Sequence, residues 1–172
     1  MNRILLPFIT YIAFVAESTV MQVLAPEHYG WGFLLIPHFS LVLIILMSCY
    51  LKPSFGIVYG MIFGLLTDLI YTDLIGVYMF STALVAYFIS VLSRYLFSNF
   101  FVAILLSAAG VAGLEFMVYG LNSLIGIADT SIDSFFYDRL LPTLILNAVF
   151  TILVYYPFVK LLKKVKKTIH EN

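Results

Sequence analysis

Six apolar stretches, each close to twenty residues long, run through this sequence at about 4–25, 32–51, 54–72, 77–97, 100–125 and 139–160. A bilayer core needs ~20 apolar residues in helical form to cross it, and a buried helix of a soluble domain rarely needs so many. The stretches therefore predict an all-α fold, an integral membrane bundle of six transmembrane helices that forms one domain over residues 1–172. Composition agrees: 63% of the residues are hydrophobic and 10% charged, where soluble domains carry about 25% charged residues. The first stretch follows Arg3 as a signal peptide might, but its length and Glu17 favour a retained helix.

Charge sets the expected orientation. With the N-terminus in the cytoplasm, the inner side holds Arg3, Lys52, Arg94 and the tail Lys160, Lys163, Lys164, Lys166 and Lys167, which is eight of the nine basic residues. Arg139 alone falls outside, beside the outer acids Glu27, Asp73, Asp129, Asp133 and Asp138. The positive-inside rule then places both termini in the cytoplasm, and an even number of spans satisfies it. The lysine tail is chiefly a topology anchor, with a secondary role at anionic lipid headgroups. Tyr29 and Trp31, in the turn after the first stretch, suit the interface.

The third stretch carries the densest pattern. Gly56, Gly60 and Gly64 stand four apart, and Asp68 takes the next step along the same helical ridge. Glycines at this spacing strip a helix face and let a neighbouring backbone approach closely. Thr72, Asp73 and Gly76 make a tight reversal into the fourth stretch, so Gly76 joins the packing set.

Three carboxylates lie inside the stretches: Glu17, Asp68 and Glu115. Counted from the cytoplasmic end of each helix they lie at depths of roughly 21, 23 and 24 Å, with Asn147 near ~20 Å. Four polar residues on four helices thus share one level in the outer half of the bilayer. Isolated carboxylates are costly there, so the level reads as a hydrogen-bonded packing layer or as a socket for a partner or ligand opening outward. No basic residue shares the depth, although Arg139 sits one or two turns above and could reach down. Proton-coupled transport is the weaker reading, since a relay spreads its groups through the depth.

Other candidates carry less. His28 and His38 lie near the outer face and read as interfacial polar residues. Cys49 reads as a small buried hydrophobe, and the outer acids lack the spacing of a calcium loop. No metal-ligand cluster, phosphate loop or nucleophile motif is visible, so neither cofactor, metal, catalytic residue nor nucleic acid is expected.

With this organisation in hand, the sequence resembles the MreD family of bacterial rod shape-determining membrane proteins. The residues that carry the likeness begin with Pro37, which opens PHFSLVLIILMSCYL, followed by a break at Pro53. Next come Gly60-xxx-Gly64-xxx-Asp68-Leu69 and then Gly76 before another apolar helix. Asn147 and an apolar run leading into a basic tail close the pattern. The resemblance implies a non-enzymatic component of the cell-elongation machinery in the bacterial cytoplasmic (inner) membrane. Its expected partner is MreC, through that protein's single transmembrane helix and outer domain. Through such contacts it would help couple MreB filaments to the glycan polymerase and transpeptidase that build peptidoglycan. The family is also similar in plan to the substrate-binding subunits of energy-coupling-factor transporters. The alternative reading is therefore a solute- or vitamin-binding membrane subunit of a transporter.

Overall fold

The computed structural model describes residues 2–23, 30, 32–96, 99–126 and 131–170. Five helices run in chain order: α1 (Asn2–Val23), α2 (Phe39–Tyr50), α3 (Pro53–Tyr71), α4 (Val77–Ser93) and α5 (Phe100–Ile125). A single helical turn, Ile132–Ser134, and a π-helical stretch, Phe135–Leu140, then lead without a break into α6 (Leu141–His170). The six-helix plan expected from the sequence is present. Among the described residues, four helical segments are long and apolar enough to cross a membrane alone: Leu5–Val23, Pro53–Tyr71, Phe100–Ile125 and Ile132–Thr168. Phe39–Tyr50 and Val77–Ser93 are shorter apolar helices.

The helix ends follow local chemistry. Pro53 stands at the first position of α3, where its missing N–H costs nothing. Asn99 caps α5 by accepting from Val102 N–H at 2.9 Å, and Gly126 ends that helix in the left-handed region at φ 79°.

The axis of the bundle is α2. Phe39 to Ser48 are all buried, and Val42, Ile44, Ile45 and Met47 have no exposed surface. A helix apolar all round must be enclosed, and α2 touches each of the other five helices. Outside it, large apolar side chains such as Phe8, Leu69, Phe88, Phe101, Leu124 and Leu153 are more than half exposed. The molecule is thus apolar within and without, as a body solvated by lipid must be.

The structure departs from the expected spans in two places. The second stretch was expected over 32–51, with Pro37 either starting or kinking its helix; α2 begins at Phe39, just after Pro37, and residues 34–38 are not helical. The last stretch was expected over 139–160 after a loop, but helix starts at Ile132 and runs on to His170. The lysine tail is therefore the end of α6: Leu162 and Val165 are fully buried, while Lys160, Lys163, Lys164, Lys166 and Lys167 are exposed.

α3 and α4 form the most extensive helix pair. A Cβ added at Gly60 would sit 2.9 Å from Ala83 Cα, and one at Gly64 would sit 2.6 Å from the Tyr78 carbonyl oxygen and 2.7 Å from Met79 Cα. At Gly56 the nearest atom is the Ser48 hydroxyl of α2. Gly76 differs from the expectation. Nothing lies within 4 Å of a Cβ there, and the residue is needed for its φ of 110°, which L side chains rarely adopt. It is a turn glycine and packs no helix.

Candidate functional site

The buried polar residues each meet a backbone or charge need created by the broken helices. Residues 34–38 are not helical, and their N–H and C=O groups need partners inside the protein. The π-helical turn and α6 supply most of them. Leu34 N–H donates to the Asp138 carbonyl at 2.6 Å, and Ile36 N–H to the Thr143 hydroxyl at 3.2 Å. Asn147, nearly fully buried, accepts from His38 N–H at 2.8 Å and donates to the Ile36 carbonyl at 3.0 Å. Glu17 on α1 completes the run: its Oε1 accepts from Ser40 N–H at 2.7 Å and from the Ser40 hydroxyl at 2.8 Å, capping the first turn of α2.

Asp68 does the same for α4. Its carboxylate is fully buried and accepts from the N–H groups of Gly76, Tyr78 and Met79 at 2.8, 2.9 and 2.9 Å. Three of the donors that every helix start leaves orphaned are thereby satisfied by one side chain. The ridge of α3 thus ends on the residue that seats the first turn of α4, just past Gly64.

Glu115 on α5 is 1% exposed, and both its oxygens are engaged. Oε1 pairs with His38 Nε2 and Oε2 accepts from Arg139 Nε, each at 2.7 Å. Arg139 comes down from the π-helical turn, a geometry that re-aims side chains and recurs at functional sites. Arg139, expected one or two turns above and able to reach down, meets Glu115, and His38 joins the same carboxylate. His38, expected at the interface, is buried at 8% exposure. Its position directly after Pro37, where the helix had not begun, was the available signal. His28, Tyr29, Trp31, Glu27 and Asp129 lie outside the described residues.

Above these groups lies a cavity of about 590 Å³. Glu17, His38, Ser40 and Arg139 form its polar wall, and Leu41, Phe63 and Leu114 are among its apolar lining. α1 packs chiefly against α2. It reaches α3 through ring contacts of Phe14 with Phe63 and Tyr71, and through paired hydroxyls of Ser18 and Tyr71. The cavity sits between those two helices. Among the described residues no group of three potential metal ligands comes together.

The architecture is that of a multi-pass membrane protein, and the comparisons with known proteins say which one it is related to. The family described as rod shape-determining protein MreD matches residues 2–165. The chain belongs to the MreD family. It is 35% identical over 172 residues to the rod shape-determining protein MreD of Bacillus subtilis (strain 168), covering 100% of both chains. No solved structure matches it. Membership makes it a rod shape-determining protein of the bacterial inner membrane, in a family of structural rather than known enzymatic proteins. It also places the chain in the rod-shape machinery with other Mre proteins.

Proposed function

We propose that this protein is a non-enzymatic membrane scaffold of the elongation machinery. In this reading it binds MreC and helps couple MreB filaments to the glycan polymerase and transpeptidase of peptidoglycan synthesis. The observation that carries the reading is the likeness, 35% identical over 100% of both chains, to a relative described as a rod shape-determining protein. In this proposal both termini are cytoplasmic. The exposed lysine face of α6 then lies at the inner headgroups, and the cavity opens toward the outer surface. Glu17, Asp68, Glu115, Asn147 and Arg139 hold the outer half in the shape the partner meets, while Gly56, Gly60 and Gly64 hold α3 in place.

The test is replacement of the resident family member in a rod-shaped bacterium by this chain, with microscopy and co-purification of MreC. Rods with MreC retained on the tagged chain are expected; round cells despite normal membrane abundance would overturn the proposal. The cavity favours one second reading, a solute-binding subunit. A nutrient requirement in the deletion strain, relieved by adding a vitamin, would select it.

A further inference from the structure

We propose that the cavity between α1 and α3 binds a phospholipid with a phosphoethanolamine headgroup. The inference does not depend on the partners proposed above.

Four observations carry it. First, the polar wall holds one group of each sign. Both Ser40 bonds of Glu17 fall on Oε1 and the Phe39 backbone bonds the same carboxylate, which has about four acceptor positions. Arg139 spends Nε on Glu115 and also bonds Tyr78, and with 31% side-chain exposure its fork keeps further N–H groups for a ligand. Second, that fork suits a phosphate, which accepts two parallel N–H bonds, and the buried Glu115 and the π-helical turn hold the guanidinium in place. Third, a purely anionic head would face Glu17 and a purely cationic one would face Arg139. A phosphate joined to a primary ammonium satisfies both, whereas a quaternary ammonium offers Glu17 no N–H.

Fourth, the rest of the lining is chiefly apolar, with Leu41, Phe63 and Leu114 beside hydroxyl groups such as Thr67 and Thr82, and it lies between two helices bridged mainly by side chains. An acyl chain can rest on the floor and leave through that seam into the bilayer. At about 590 Å³ the space fits a headgroup and the upper part of a chain. An α-helix with its side chains, ~10–12 Å across, would fit for only about one turn.

The test is native mass spectrometry of the full chain, released from detergent after incubation with equal amounts of phosphatidylethanolamine, phosphatidylcholine and phosphatidylglycerol of identical acyl chains. The ethanolamine lipid should be retained over the choline lipid by about tenfold, the scale of one charge-assisted hydrogen bond. Glu17→Gln keeps an oxygen for Ser40 but removes the charge, so lipid should still bind with that preference gone. Thr67→Phe fills the cavity from α3 without removing a cap or ion pair, and it should reduce all three adducts. Soluble glycerophosphoethanolamine should fail to displace the lipid. Equal retention of the three lipids would overturn the proposal, as would a preference that survives Glu17→Gln or adducts that survive Thr67→Phe. Displacement by the soluble headgroup would assign the site to a free phosphate ester instead. Lipid exclusion by a co-purifying protein would assign it to a protein segment.

Discussion

Asp68 is the residue whose removal should be felt most directly. Leucine in its place would leave the N–H groups of Gly76, Tyr78 and Met79 without acceptors inside the bundle, at ~1–3 kcal/mol for each buried donor. Asp68→Leu should therefore lower membrane abundance and the thermal midpoint in detergent, with Asp68→Asn intermediate because one oxygen remains. Normal stability in the leucine variant would show that the cap is dispensable. Glu115 and Arg139 make a different prediction. Arg139→Met leaves the 1% exposed Glu115 carboxylate with His38 as its remaining side-chain partner, and removing one partner of a buried ion pair costs up to ~3–5 kcal/mol. Replacing both residues by methionine should recover much of the loss, because the buried carboxylate is then gone and only the His38 ring loses a partner. Thermal midpoints of the two single variants and the double variant check this; a double variant no better than Arg139→Met would rule it out.

Among elements, the contact of α3 with α4 sets the strictest limits. At Gly60 and Gly64 the atoms that a methyl would meet belong to the backbone of α4, which cannot turn aside as a side chain can. Gly60→Ala and Gly64→Ala should each destabilise by ~1–3 kcal/mol, the usual cost of forcing atoms into a packed core. Gly56→Ala should be milder, because the first obstacle is the Ser48 hydroxyl. The measurement is the order of thermal midpoints, and equal loss at all three positions would contradict it. At this scale α2 explains the polar residues. It starts late, at Phe39, so the chain before it is not helical and its amides call for Asn147 and Thr143, while Glu17 takes the Ser40 N–H of the first turn.

For the whole molecule, the prediction concerns orientation. In a chain lacking its natural Cys49, a cysteine at position 52 or 166 should resist a membrane-impermeant maleimide added to intact cells and react after permeabilisation. One at Ile132, 64% exposed at the opposite end of the bundle, should react from outside. Labelling of position 166 in intact cells would reverse the proposed topology.

The apolar run lengths and the glycine spacing determined the helical membrane class and the α3 face that α4 approaches, because both depend on local periodicity alone. The family likeness was equally legible, since its motifs lie within single segments. The common depth of Glu17, Glu115 and Asn147 was also readable, each counted along its own helix. Which group each residue faces was not, because depth leaves rotation about the helix axis free. Only the packed bundle turned Asp68 toward the first turn of α4 and Glu17 toward Ser40. It also brought His38 and Arg139, 101 positions apart by their numbers, onto one carboxylate. Those pairings follow from where Pro37 stops a helix and where the π-helical turn aims a side chain, and both are settled only when distant segments compete for the same buried acceptors.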